Sequence, residues 1–509
     1  MKPQVLIVGA GPTGLALARS LANHGVQIRI IEKNSGPGTA SRALVVHARI
    51  LEHYQQLGFS DRLVNKGLPM TALTIREGDK DKAKLNFPDL GEGLSPFPYI
   101  LSFPQDEHEE ILVDELKKVG IEVEWNTELT SFSDNGDTVK ATLKKDGCLE
   151  ERTEFNYLCG CDGAHSTVRK GLGIEFPGGT YDQLFFVADV ESEAGGAGME
   201  NMYMYMDDEG FISYMPVRNE KMKRIIGIVP KELTNYSNME YKDISSYIER
   251  KIGLKTTKVN WFSTYRVHHR VSEQFIKGRI FIAGDAGHIH SPAGGQGMNT
   301  GIGDAINLSW KLAAVIKGKA DSSILETYES ERIAFARILT STTDKVFQTI
   351  VGRHVRGSLL RKVFMPYVVP FLFGFSTAKK KAFKVVSQTE INYRDSKLSN
   401  GTAGKIVAGE RLPWIETAHS DNFKPLQSFD WQIHIYGQAN KDLIEFAQSH
   451  SLKVHEFTWE QKMDSVGFQQ DALYLIRPDG YVALANKDQN VSALNEYLTK
   501  FKIAPFNLN

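Results

Sequence analysis

Three glycines define the first piece of chemistry in this chain. Gly9, Gly11 and Gly14 form a GxGxxG string directly after the aliphatic run 5–8 and at the start of a helix-like stretch, residues 13–23, and Glu32 closes a second aliphatic run, residues 27–31. Strand, turn, helix and strand in this order place the turn at the carboxyl edge of a parallel sheet. There the first glycine allows a tight turn, the second lets a pyrophosphate approach the backbone, and the third lets the helix pack closely. The helix N-terminus offers free N–H groups to phosphates, and an acid such as Glu32 accepts a ribose hydroxyl. Glu32 would repel a 2′-phosphate, so the site suits FAD or NAD rather than NADP. A glycine turn with no ligand is the plain alternative, and the complete strand–helix–strand–acid frame argues against it.

A second stretch decides between the two dinucleotides. Residues 279–283 (RIFIA) read as a buried strand that delivers Gly284 and Asp285 into a glycine-rich loop, followed by a helix over about 301–315. An aspartate at a strand end suits a sugar-alcohol hydroxyl, while Gly294, Gly295 and Gly297 let backbone approach a ring. The following helix N-terminus would favour negative charge on a reduced flavin. NAD has no ribityl chain for Asp285 to hold, so FAD is the expected cofactor. His288 and His290 make an HxH pair around which no ligand set is completed, and no metal is expected.

The rest of the chain is consistent with a multidomain enzyme. Its 509 residues are 41% hydrophobic, enough for more than one core. Sixty basic against sixty-one acidic residues leave a formal charge of −1, which gives no field for nucleic acid or an acidic membrane surface. Cys148, Cys159 and Cys161 are the whole cysteine inventory, which supports neither a disulfide framework nor a zinc ribbon and fits a reducing cytoplasm. The N-terminus lacks the pattern of a signal peptide. The apolar stretch 363–375 contains Pro366 and Pro370 and is too short to span a bilayer; it reads as a buried connector.

Further short strands are expected at 121–125, 139–143 and 155–159, and a mixed sheet between about 176 and 269, where MYMYM (202–206) and FISYM alternate. Such alternation could line a substrate pocket or simply be sheet core. After about 399 the pattern restarts with strands at 431–436, 453–458 and 472–476, a helix at 441–449, and a turn at Pro478, Asp479 and Gly480. The fold class expected is α/β.

Three separated motifs, GAGPTG at 9–14, CDGAHSTVRK at 161–170 and GDAGHIHSPAGGQGMNTGIGDAINLSWKL at 284–312, resemble the class A flavoprotein monooxygenases of the para-hydroxybenzoate hydroxylase fold. INYRDSKL at 391–398, AGERLP at 408–413 and RPDGYVALA at 477–485 extend the likeness to the branch of aromatic and polyketide hydroxylases with a C-terminal thioredoxin-like domain. This resemblance implies a Rossmann-like FAD-binding domain (1–175 and 276–398, the latter with a helical connector) interleaved with a mixed-sheet substrate domain (176–275, joined by strands near 70–105). Long helices then connect to a thioredoxin-like domain at 399–509. No cysteine follows Cys161, so that last domain cannot run dithiol chemistry and a packing or assembly role is expected.

Carried over by motif, Glu32 would hold the adenosine ribose, and Arg42 would lie near the pyrophosphate and the path of the nicotinamide cofactor. Gln105 would contact the ribityl side. Asp162, Gly163 and Arg169 would support FAD and NAD(P)H binding. Asp285 would bind the ribityl chain, Gly297, Met298 and Asn299 would face the isoalloxazine, and Pro292 would sit where substrate meets the ring. Without the motif, Asp162 and Arg169 would read as a solvent-facing ion pair worth about 0–1 kcal/mol. No side chain is assigned as a catalytic acid or base.

The implied reaction is hydroxylation of an aromatic or polyketide-like molecule with NADPH or NADH and O2 through a flavin C4a-hydroperoxide. Same-fold enzymes that inactivate rifamycin or tetracycline share these motifs, and a Baeyer–Villiger outcome stays open, as does a homodimer. A flavin-binding redox sensor or scaffold is the reading from another class, against which the intact 292–299 loop argues.

Overall fold

The computed structural model describes residues 3–78, 80–87, 91–192, 201–206, 210–218, 222–234, 238–351 and 376–506. The expected connector at 363–375 lies outside the described residues.

A five-stranded sheet runs in the order Ile276–Lys277, Ile280–Ile282, Tyr157–Gly160, Val5–Val8, Ile28–Ile31. Its last four strands are parallel, and Val8 sits opposite both Gly160 and Ile31 while Gly160 sits opposite Ile282. That register brings the residues after each strand to one edge: Gly9, Glu32, Asp162 and the Gly284–Asp285 turn. Sequence separations of more than a hundred residues are thus closed by pairing of strands that are buried almost throughout. The helices Pro12–Asn23 and Gln296–Ile316 pack against each other, joined at their middles by a Ser20–Ser309 hydroxyl hydrogen bond of 2.7 Å.

An eight-stranded sheet adjoins this one, ordered His288–Ile289, Thr256–Val271, Gly178–Ser192, Met222–Ile228, Phe211–Pro216, Asn201–Met206, Ala72–Glu77, Lys80–Asn86. Strand alternation gives it two distinct faces. Tyr203, Tyr205, Tyr214 and Ile225 point to one side and pack beneath the helix Tyr241–Ile252. Met202, Met215, Met222 and Ile226 point to the other and pack with Leu44 and Val45 of the segment that borders the glycine-rich loop.

The C-terminal residues form a six-stranded sheet in the order Ile406–Val407, Asn400–Ala403, Val482–Asn486, Leu473–Ile476, Gln432–Tyr436, Lys453–Phe457. Gln432–Tyr436 and Lys453–Phe457 are parallel and joined by the helix Lys441–Ser449, whereas Leu473–Ile476 and Val482–Asn486 form an antiparallel hairpin followed by the helix Val491–Phe501. One face of this sheet joins the main core: Trp431 packs edge-on against Trp310 of the long helix at 5.6 Å.

Three sequence expectations are corrected. Residues 121–125 form no strand; only Glu124 bridges to Ile31, through backbone hydrogen bonds to Ile30 and Glu32, and the chain turns away at Asn126 with φ +51° before a ladder can extend. The run 155–159 is split at Asn156 between the strands Leu149–Phe155 and Tyr157–Gly160, which belong to different sheets. The long helix begins at Gln296, a turn and a half before Gly301. Gly297, Asn299, Gly301 and Gly303 are weak helix formers that hide its first turns from propensity. Tertiary contacts hold them: a Cβ at Gly301 would come within 2.4 Å of Thr13 Oγ1.

Candidate functional site

The 9–14 turn has the division of labour that its spacing implies. Gly9 has φ +104°, and a Cβ there would stand 2.4 Å from the Cys161 carbonyl oxygen. A Cβ at Gly14 would stand 2.0 Å from the Gly9 carbonyl oxygen, so both positions are closed to side chains. A Cβ at Gly11 would meet no atom within 4 Å. That open side lies at the N-terminus of the helix Pro12–Asn23, which has no side-chain cap and no acid in its first turn. Free N–H groups beside open backbone fit a pyrophosphate. Glu32 stands beside the turn, its carboxylate accepting from the Ala10 amide at 3.0 Å and from the Asn34 amide and side chain at 3.0 and 2.6 Å.

Asp162 and Arg169 are not an ion pair with each other. The Asp162 carboxylate accepts from Ser166 Oγ (2.5 Å) and the Val168 amide (3.1 Å), capping the short helix Thr167–Gly171. Arg169 is 5% exposed, lies 3.9 Å over the Phe176 ring, and donates to the carbonyls of Ala164 (2.9 Å) and Ala286 (2.8 Å). The middle motif therefore ties itself to the turn that carries Asp285. Gly163 adopts φ +77° with open space around it.

Asp285 keeps exposed surface on that turn at the sheet edge while the protein around it raises its carboxyl above the ordinary range, and Pro292 is likewise exposed. Between them and the long helix, Gly294 and Gly295 take φ +74° and +63°, and Gly295 lies so close to Val45 that a Cβ would approach within 2.8 Å. Gly295 caps the helix without any side-chain partner, leaving its N-terminus open. Gly297 and the partly buried Met298 occupy its first turn, with His290 as neighbour to Gly297. The Asn299 side chain turns to the protein. It is fully buried, donates to the carbonyls of Val45 (2.9 Å) and Gly295 (2.8 Å), and accepts from the His47 amide (2.9 Å). Its side chain is thereby spent on clamping the loop to residues 45–47.

Arg42 is exposed, and Gln105 anchors the segment next to it: Gln105 accepts from the Ala43 amide at 3.2 Å and donates to Glu109 at 2.8 Å. Glu109 accepts from the Gly38 amide at 2.8 Å, and burial raises its carboxyl above the ordinary range.

Sequence reading missed the groups that hold these segments. Asp304, fully buried in the long helix, accepts from the Gly284 amide (3.0 Å), from His288 Nε2 (2.7 Å) and from Arg332 Nε (2.6 Å). Burial opposes its charge, but Arg332 and His288 outweigh that and keep the carboxyl below its usual range. His47 bonds to the Gly294 carbonyl at 2.9 Å, and burial lowers its pKa to about 4. His290, lowered to about 4 by burial and by His288, bonds through Nδ1 to the Ser291 carbonyl at 2.8 Å. In the large sheet, Arg224 and Asp189 form a buried pair at 2.8 Å that also engages Ser41 Oγ and the Arg42 carbonyl. The available signal was charge inside apolar runs, as in GIGDAINL and FFVADV, since a buried charge requires a partner.

A family model described as an FAD binding domain matches residues 2–343, and every side chain of the candidate site described above lies within it. The chain belongs to the FAD-dependent monooxygenase family. It is 30% identical to 6-methylpretetramide 4-monooxygenase of Streptomyces rimosus, over 99% of this chain and 94% of the relative. It is 32% identical to dialkyldecalin synthase of Streptomyces rugosporus, over 67% of this chain and 72% of the relative. Among solved structures, CabE, an aromatic hydroxylase from angucycline biosynthesis, superposes with a TM-score of 0.79 at 25% identity, covering 99% of this chain and 100% of the other. The open backbone at Gly11 and the two uncapped helix N-termini at one sheet edge fit FAD in this chain. Among the described residues, no helix is long and apolar enough to cross a membrane.

Proposed function

We propose that this enzyme hydroxylates an aromatic or polyketide-like small molecule, using NADPH or NADH as reductant and O2 as the oxygen source. The observation that carries the reading is the juxtaposition of the flavin loop with an apolar sheet face. Met202, Met215, Met222 and Ile226 pack with Leu44 and Val45, and Val45 touches Gly295 of the loop. Thioether and aliphatic surface of this kind suits a flat, apolar ring system. On the same face Ser213, opposite Met204, is 2% exposed and its hydroxyl has no hydrogen-bond partner among the described residues. The named activities of 6-methylpretetramide 4-monooxygenase and of the aromatic hydroxylase CabE support this substrate class.

When bound, FAD supplies hydride acceptance and oxygen activation; the protein supplies position and a dry site. Gly9, Gly11, Gly14 and Glu32 serve the adenosine diphosphate half. Asp285 serves the ribityl chain, and the backbone at Gly297, Met298 and Asn299 serves the ring. Arg42, exposed and held through its own carbonyl by Arg224, serves the nicotinamide cofactor's approach, with Gln105 fixing its segment. Asp162, Gly163 and Arg169 act by setting the Asp285 turn. Pro292 borders the substrate. We read the chain as the interleaved FAD and substrate domains expected from sequence. The last hundred or so residues, by their βαβ unit followed by a hairpin and helix, we read as a thioredoxin-like domain that has lost dithiol chemistry.

Stopped-flow absorbance tests the proposal. The FAD-loaded protein is mixed with NADPH or NADH, with and without phenols, naphthoquinones, tetracyclines and rifamycins. Ligand-accelerated flavin reduction and a product one oxygen heavier are expected. The likeness to dialkyldecalin synthase favours a second reading, a ring-forming enzyme; a product of unchanged mass formed without NAD(P)H consumption would select it. FAD binding with no ligand response across the panel would favour a sensor.

A further inference from the structure

The C-terminal sheet reaches toward the flavin loop through one turn. Arg477 and Asp479, between the strands Leu473–Ile476 and Val482–Asn486, are both fully buried. Arg477 forks onto Glu331 of the helix Glu326–Val351 at 2.8 and 3.0 Å and onto Asp479 at 3.0 and 2.6 Å. Asp479 also accepts from Trp310 Nε1 at 3.0 Å, and Glu331 accepts from Asn307 and Lys311, each at 2.7 Å. Trp310, Asn307 and Lys311 all belong to the long helix whose first turn borders the flavin loop.

The next residue of the partner helix, Arg332, makes the second pin. It holds Asp304 and the Thr300 carbonyl, and Asp304 in turn holds the Gly284 amide and His288. Two adjacent residues of one helix therefore fix the height and tilt of another, and the first fixture is balanced by Arg477. Glu331 and Asp479 face Arg477, Lys311 and Arg49, the last donating to the Asp479 carbonyl at 2.8 Å. Without the planar Arg477 fork each buried carboxylate loses two hydrogen bonds that an ammonium cannot replace in the same geometry, and the helix would shift to recover them. Lys311 lies 15 residues from Gln296, roughly 22 Å along the helix, so a tilt of about 3° moves the N-terminus by about 1 Å. A displacement of that size is enough to spoil a positioned site.

We infer that Arg477 is a positioning residue for FAD: through Glu331 it sets the long helix, and with it the 284–299 loop, so that the C-terminal sheet is part of the cofactor site without touching it. The inference rests on FAD binding but is independent of the substrate. The test uses the full-length chain as Arg477→Lys, with Phe506→Ala as a comparison; Phe506 also packs the C-terminal segment against the body, on His24 at 4.5 Å, but outside this network. FAD affinity is read by flavin fluorescence, and hydrogen exchange is read at the amides of residues 284–288. Arg477→Lys is expected to weaken FAD at least tenfold and to speed exchange at Gly284, while Phe506→Ala, with a comparable loss in Tm, changes neither by more than twofold. Equal FAD loss in the two variants overturns the inference, as does a destabilised Arg477→Lys protein with unchanged affinity and exchange. Should that variant not fold, Asp479→Asn keeps an acceptor for Trp310 and is expected to weaken FAD several-fold; unchanged affinity and exchange there overturn the inference equally. A wild-type protein that binds no FAD would instead count against the flavin assignment itself.

Discussion

Two turns of the FAD binding domain carry the proposed cofactor residues, and they are held in different ways. The 9–14 turn is almost self-contained: its glycines meet each other and the adjacent strand end at Cys161, and the one acid beside it, Glu32, follows on the next strand. The 284–299 loop is held from elsewhere. His47 and Val45 grip it through Gly294 and Asn299, Asp304 holds its start, and Arg332 holds Asp304. The first turn is set by steric exclusion among its own glycines and the strand end at Cys161, with Thr13 meeting Gly284 and Gly301. The second exists only when three distant segments have already assembled, so it is expected to open before the first.

The harshest way to probe the contrast is to fill the self-contained turn. Gly14→Ala places a methyl 2.0 Å from the Gly9 carbonyl oxygen, which backbone cannot yield locally. The expected outcome is loss of more than about 4 kcal/mol, read as little folded protein in a denaturation and expression assay. Asp304→Ala attacks the other turn by leaving Arg332 buried without its carboxylate. A loss of about 3–5 kcal/mol in denaturant unfolding is expected, with faster proteolysis at 284–299 than at 9–14. Equal cleavage in both regions would remove the distinction.

Acidity should act on the loop directly, because two histidines whose protonation burial opposes, His47 and His290, bond within it. His47 and His290 have folded pKa values of about 4 against an ordinary 6.5. The unfolded chain takes up these protons first, so the stabilisation is intact above about pH 6.5 and falls as pH drops toward 4. About 3 kcal/mol is at stake for each histidine. FAD release between pH 6.5 and 4, shifted to lower pH in His290→Gln, is the expected observation; a release curve indifferent to His290 would contradict it. The gentlest test is Gly11→Ala. Its backbone, at φ −74° and ψ 179°, accepts any residue, and its methyl enters open space. Apoprotein stability should stay within about 1 kcal/mol while FAD affinity drops at least tenfold, which would show that the open side faces the ligand.

Much of this was legible in order along the chain because it is local. The strand Val5–Val8, the helix after it, the acid at Glu32 and the C-terminal helix Lys441–Ser449 follow from periodicity and glycine placement. The start of the long helix was not legible, since glycines and an asparagine there are poor helix formers that only packing against Thr13 and Val45 makes helical. The side-chain contacts of Asn299 were not legible for the same reason: a motif gives a residue's neighbourhood, whereas the direction of its amide depends on which backbone comes close.

The amino-acid sequence alone determined the kind of cofactor. GxGxxG with an acid after the second strand, followed much later by a strand, an aspartate and a glycine-rich helix start, allows few ligands, and the family match to an FAD binding domain agrees with that reading. Tertiary structure decided how those parts are held together. Strand register put residues 9, 162 and 285 at one edge, and buried charges paired across more than a hundred residues, as Arg477 does with Glu331. Such pairing depends on desolvation, which strengthens a matched pair and penalises an unmatched one, and desolvation arises only when the distant segments have closed around them.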